Sequence, residues 1–247
     1  MKTRIFGLLI VQLLAMGGGV ATAAEADTVP REAVEEIIRE YILKHPEVIL
    51  DSIRGLQERE RKAQSEQSRQ AITDRRAELL NDPKSPVAGN HAGDVTVVEF
   101  FDYRCPYCKA VAATLKQLVQ NDPSLRVVFK EFPILGEQST LAAKAALAAH
   151  RQGKYVSFHH ALMESREPLN ESVVLGIAAE TGLDVNKMRA EMQDPEVASA
   201  IQQNQRLAQA IGITGTPAFI IGDALVRGSL DLDALKELIA RARSKRP

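Results

Sequence analysis

Cys105 and Cys108 stand in the run Cys105-Pro106-Tyr107-Cys108 and are the only cysteines in a chain of 247 residues. That spacing suits thiol-disulfide exchange, in which one thiolate attacks a disulfide and a second thiol lies close enough to resolve the mixed intermediate. Directly before the pair, residues 95–103 read VTVVEFFDY, a strand with apolar residues on both faces, as in a sheet covered on each side. Pro106 suits the first turn of a helix running to about Gln120. Cys105 then lies at the helix N-terminus, where unsatisfied N–H groups and the positive end of the dipole favour its thiolate. Cys105 is read as the attacking sulfur and Cys108, one turn inward, as the resolving one, with Pro106 and Tyr107 between them tuning the redox poise.

Other uses of two cysteines fit less well. Closing so short a loop staples almost nothing, because the loop-entropy gain grows with loop length. A structural zinc site takes four ligands, and the five histidines (His45, His91, His150, His159, His160) are scattered. No metal site and no cofactor are expected.

The elements around the pair follow from pattern. Residues 29–80 read as helical: Val34, Ile37, Ile38 and Tyr41 form one apolar stripe and Ile49, Ile53 and Leu56 a second, with Pro46 between them. The run 57–70 (QERERKAQSEQSRQ) is strongly helix-forming yet polar all round, a solvated connector rather than a core helix. Turn residues over 81–86, then Gly89 and Gly93, mark a boundary. Beyond it come the strand at 95–103, the cysteine-bearing helix, a strand at 125–132 and a helical insertion over about 138–209. A hairpin of strands at 218–221 and 224–227 and a closing amphipathic helix complete the pattern. The short stripes need a partner, and a second copy of the segment is the simplest one, with folding back on the same chain's catalytic domain as the alternative.

Lys2 and Arg4, an apolar stretch over 5–16 broken by Gln12, and Ala21-Thr22-Ala23-Ala24 have the layout of a cleavable export signal ending at Ala23 or Ala24. An uncleaved anchor is the alternative, since 5–24 approaches the roughly 20 residues of a spanning helix. The expected organisation is a signal at 1–24, a helical arm and linker at 25–86, and a catalytic domain at 87–247. With 45% hydrophobic and 26% charged residues the chain can build a core, and a net charge of −1 without a basic, aromatic-interleaved stripe argues against nucleic acid.

FFDYRCPYC behind a strand, GTPAFIIG far downstream and a helical insertion between them resemble the DsbA-like proteins of the bacterial periplasm, from Asp94 to the C-terminus. With its N-terminal arm the whole chain resembles the suppressor-of-copper-sensitivity (ScsC) group of that family. The resemblance implies an α/β thioredoxin fold with a helical insertion, preceded by an oligomerising arm. It also implies periplasmic protein substrates with cysteines, a membrane redox partner and a homo-oligomer, trimer or dimer. In that fold the proline of Thr216-Pro217 takes the cis form beside the disulfide, and the backbone of the preceding residue pairs with substrate; an ordinary turn is the competing reading. Family members carry an acid six residues before the first cysteine, and Glu99 stands there, mid-strand, where an unpaired carboxylate is costly. Its two readings are a proton relay for Cys108 and a structural acid satisfied by Lys130 on the next strand. The expected activity is protein disulfide exchange. An arm that gathers several active sites favours isomerase over dithiol oxidase, with Cu(I) binding by the soft thiolate pair as an alternative and a non-catalytic peptide-binding chaperone as another.

Overall fold

The computed structural model describes residues 29–245, so the proposed signal peptide lies outside the described residues. The described residues divide into two compact units that meet in sequence between Leu56 and Gln57.

In the first unit, α1 (Arg31–Lys44) begins after Pro30, and i,i+4 pairs Arg31–Glu35 and Glu40–Lys44 brace its surface. Pro46 ends it, and α2 (Glu47–Asp74) follows, its residues to Leu56 in this unit and those from Gln57 in the second. None of the residues of α1 is buried. Ile37 is 64% exposed and Ile53 47%, so both stripes read from the sequence stand open on this chain.

The second unit is built on a five-stranded sheet of β1 (Val87–Gly89), β2 (Val95–Phe101), β3 (Leu125–Glu131), β4 (Ala218–Ile221) and β5 (Ala224–Arg227), in the order β1-β3-β2-β4-β5. β2 is parallel to β3 and antiparallel to β4, while β1 and β5 pair antiparallel at the edges. Strand β2 connects to β3 through α4 (Pro106–Asn121), which Asp122 and Pro123 terminate. Side chains leave β2 alternately. Val97 and Phe101 face a core shared with Cys108, Val111 and Leu115 of α4 and with Leu235 and Ile239 of α10 (Leu232–Ser244). Val98 and Phe100 face a second core, with Leu207 of α9 (Pro195–Ala210). Ile72 at the end of α2 and Leu79 of α3 (Arg76–Leu80) join that second core, so part of the stretch read as linker packs on the sheet. Their apolar positions are too few to show a period, and the three-residue β1 and five-residue α3 are too short for any pattern.

The insertion comprises α5 (Glu137–Arg151), α6 (Tyr155–Glu164), α7 (Glu171–Glu180) and α8 (Val185–Met192), followed by α9. Six alanines of α5 are buried, which lets neighbouring helices approach it from several sides. Asn170, Asp184, Asp194 and Asp231 each accept an N-terminal backbone N–H of α7, α8, α9 and α10 respectively, so these helices start where the sequence supplies an N-cap side chain.

Candidate functional site

Cys105 is the N-cap residue of α4, with extended backbone (φ −74°, ψ 118°) and Pro106 at the first helical position. Proline has no N–H to leave unsatisfied there and its fixed φ fits the helix, so the chain places the first sulfur at the helix mouth and the second one turn inside. Cys105 is 4% exposed and Cys108 fully buried, and both are thiols in the structure. Tyr107, between them, is 66% exposed.

The segment that carries Cys105 is fixed from two sides. Asp102 is buried, and its carboxylate accepts the backbone N–H of Arg104 at 2.7 Å, Ile134 at 2.8 Å and Leu135 at 3.0 Å. The Arg104 guanidinium donates to the Leu135 carbonyl, and the Cys105 N–H to the Asp102 carbonyl at 3.1 Å. On the far side the Cys105 thiol donates to the Thr216 carbonyl at 3.4 Å, and the Thr216-Pro217 peptide is cis. Two motifs more than a hundred residues apart thus meet at one sulfur.

Glu99 lies on β2, 1% exposed, with its Oε1 unpartnered. Burial pushes its carboxyl up to about 8. The reading in which Lys130 satisfies it is corrected by the register: Glu99 stands opposite Phe129, and Lys130 opposite Phe100, so the two side chains leave on opposite faces. Lys130 instead donates to the Glu78 carbonyl at 2.8 Å, Ser85 Oγ at 2.6 Å and Asp82 at 3.1 Å. Glu99 shares its face with the cysteine-bearing helix. Burial drives the Cys108 thiol far above its ordinary range, and the charges of Glu99 and Cys105 push the same way while a backbone hydrogen bond at Asp102 opposes. The structure thus places on one face of the sheet a buried thiol held in its protonated form and a buried carboxyl pushed up by the same burial.

Asp102 and Glu131 were not visible as site residues in the sequence. Glu131 carried a usable signal, an acid inside the apolar run 125–132, the same signal that marks Glu99. Among the described residues no group of three or more His, Cys, Asp or Glu side chains is placed to hold a metal ion.

Residues 96–240 match the family described as DSBA-like thioredoxin domain, and residues 31–63 the family described as copper resistance protein ScsC N-terminal domain. A thioredoxin-like oxidoreductase from Silicibacter pomeroyi DSS-3 is 51% identical, covering 69% of this chain and 99% of its own, with a TM-score of 0.67. ScsC of Proteus mirabilis in a transitional conformation is 27% identical, covering 87% of this chain and 97% of its own, with a TM-score of 0.68. Disulfide bond formation protein D of Bacillus subtilis is 27% identical over 168 residues, 63% of this chain and 76% of that protein. The chain also matches Na(+)/H(+) antiporters, among them one of Salinispora tropica at 29% identity over 158 residues, but spans only 24% of that protein's length.

Proposed function

We propose that this chain, which belongs to the DSBA-like thioredoxin family, is a thiol-disulfide oxidoreductase that works in the periplasm on cysteine-containing proteins, as a disulfide isomerase. The observation that carries the chemistry is the placement of Cys105 at the mouth of α4, 3.4 Å from the Thr216 carbonyl, with Cys108 one turn behind on the face that holds Glu99.

The Cys105 thiolate attacks one sulfur of a substrate disulfide, forming a Cys105–substrate bond and releasing the other substrate sulfur as a thiolate that takes up a proton. Thr216 and Pro217 line this point, and the Thr216 backbone is where an extended substrate segment would pair. In isomerisation, a different substrate thiolate attacks the mixed bond, and Cys105 leaves as it came. In the escape route, Cys108 gives its proton to Glu99 and attacks Cys105 Sγ; the substrate leaves reduced and the enzyme holds a Cys105–Cys108 disulfide, which a membrane redox partner must reduce again. Glu99 suits that step because a base titrating near the working pH serves both directions of proton transfer. Oxidation of substrates is the same sequence run backwards.

The preference for isomerase rests on the arm. Its two apolar stripes stand exposed, and residues 31–63 match a domain named for ScsC. Self-association of arms in a trimer or dimer would gather several Cys105 sites for one substrate. The deciding experiment is reactivation of scrambled ribonuclease against oxidation of reduced ribonuclease: an isomerase recovers activity in the first with the pair kept reduced. Fast oxidation without reactivation would make it a dithiol oxidase. Cu(I) capture by Cys105 and Cys108 is the second reading, favoured by the copper-resistance description of the matched arm. Copper titration of the reduced protein tests it, with one tightly held ion per thiol pair expected.

A further inference from the structure

The face of the sheet that carries Glu99 holds a second buried carboxyl. Glu131, at the end of β3, pairs in register with Phe101 and is 1% exposed. Its Oε1 accepts from the Tyr155 hydroxyl at 2.8 Å and the Tyr103 hydroxyl at 3.1 Å. The Tyr103 hydroxyl also meets His159 Nδ1 at 3.1 Å. Phe101 and Phe129 close the box, their ring centroids 5.0 Å and 4.5 Å from that of His159, and Asn204 donates to the Glu131 carbonyl at 3.1 Å. Tyr103 lies two residues before Cys105, between Asp102 and Arg104.

The arrangement exceeds what packing requires. A buried acid without a charged partner is costly, and Gln or Leu would fill the same space without a titrating group. The Tyr103 hydroxyl has one proton for two neighbours. With Glu131 ionised, both tyrosines donate to Oε1 and Tyr103 accepts from a protonated His159 Nδ1. With Glu131 neutral, its own O–H needs an acceptor; when Tyr103 takes that role, its proton turns to His159, whose hydrogen moves to the other ring nitrogen. One proton on Glu131 therefore sets the sense of the bonds that anchor the segment leading to Cys105.

We propose that Glu131 is a positioning residue for exchange at Cys105: through the Tyr103 hydroxyl its carboxyl fixes segment 102–105, and gain or loss of its proton re-aims that segment. This deepens the oxidoreductase reading above and rests on it. The titratable groups facing Glu131 are Tyr103, Asp102 and Glu99 from the β2 side and Tyr155 and His159 from α6. Burial raises the Glu131 carboxyl well above the ordinary range, the hydroxyls of Tyr155 and Tyr103 oppose that rise, and Asp102 and Glu99 add to it. Burial likewise holds His159 far below its usual value, so the ring stays neutral.

The test is the pH profile of iodoacetamide labelling at Cys105, read by peptide mass on the full-length reduced protein. Glu131→Gln still accepts from both tyrosines but cannot ionise; Tyr103→Phe cuts the link and serves if the first variant folds poorly. Each should erase one inflection of the wild-type profile and change the rate near neutrality about two- to tenfold, the range of one hydrogen bond. The double variant should match either single one, since both remove the same link. Profiles that overlay wild type, or effects that add, would overturn the role of Glu131. Equilibration with glutathione separates this from the parent reading: a wild-type protein that forms no reversible Cys105–Cys108 disulfide refutes the exchange chemistry itself, whereas normal equilibration with unmoved profiles refutes only Glu131.

Discussion

Glu99 and Lys130 sit on neighbouring strands one position out of step, Glu99 opposite Phe129 and Lys130 opposite Phe100, so acid and base point away from each other through the sheet. Each then meets a different fate: Lys130 finds three oxygens near Asp82, and Glu99 keeps an unpartnered oxygen beside the redox helix. The pairing that neighbouring strands invite does not form.

Stability should record that separation. Glu99 titrates near 8 in the folded chain against 4.5 for an unburied glutamate, so its contribution is fully present below about 4.5 and is lost as pH rises through about 8. Glu99→Gln should unfold at nearly the same urea concentration as wild type at pH 4 and be more stable at pH 9 by a few kcal/mol. Equal differences at both pH values would place the Glu99 carboxyl in an ordinary solvated environment.

The same substitution should slow resolution of mixed disulfides by about 10- to 100-fold, as expected when a positioned proton acceptor is removed. Stopped-flow mixing of the reduced protein with a peptide disulfide reads this directly. A wild-type rate across the pH range would remove Glu99 from the mechanism.

Cys108→Ala should accumulate Cys105-linked mixed disulfides with periplasmic proteins, visible as a ladder on non-reducing gels, and Cys105→Ala should accumulate none. The place of Cys105 at the mouth of α4, with Cys108 one turn inside the helix, sets that order. A ladder from Cys105→Ala would reverse the roles of the two sulfurs.

Lys130→Met should cost about 3 kcal/mol or more in urea unfolding, because it leaves Asp82 and the Glu78 carbonyl without their buried partner. Disulfide exchange per folded molecule should be unchanged, since Lys130 faces away from the cysteine-bearing helix. Loss of exchange in the folded variant would contradict the two-face division.

Ile37→Glu combined with Ile53→Glu places charge in both exposed stripes of the arm. Light scattering should then report a single-chain mass, with exchange on small disulfides intact and reactivation of scrambled ribonuclease reduced. An unchanged mass would show that these stripes do not join chains.

The fold was legible where periodicity and punctuation agree. The helix read from Pro106 to about Gln120 ends at Asn121, and the hairpin read at 218–221 and 224–227 forms as β4 and β5. Cys105 and Cys108 were legible because their chemistry is local. Asp102 was not, since its three backbone partners lie partly more than thirty residues away and only the fold brings them to it. The Glu99–Lys130 question could not be settled from sequence either, because strand register is a tertiary fact and a shift of one residue exchanges the faces.

A protein acting on unfolded chains, as proposed above, would run the hazard of being joined by them. Open sheet borders invite foreign strands to add on and seed insoluble assemblies. Here both borders are clipped: β1 has three residues and β5 four. Gly89 closes the first at φ +78°, where an added Cβ would lie 2.4 Å from the Leu125 carbonyl oxygen, and Gly228 follows the second at φ +91°. Under the proposed function, a client would be gripped at its sulfur and let go without being woven into the scaffold.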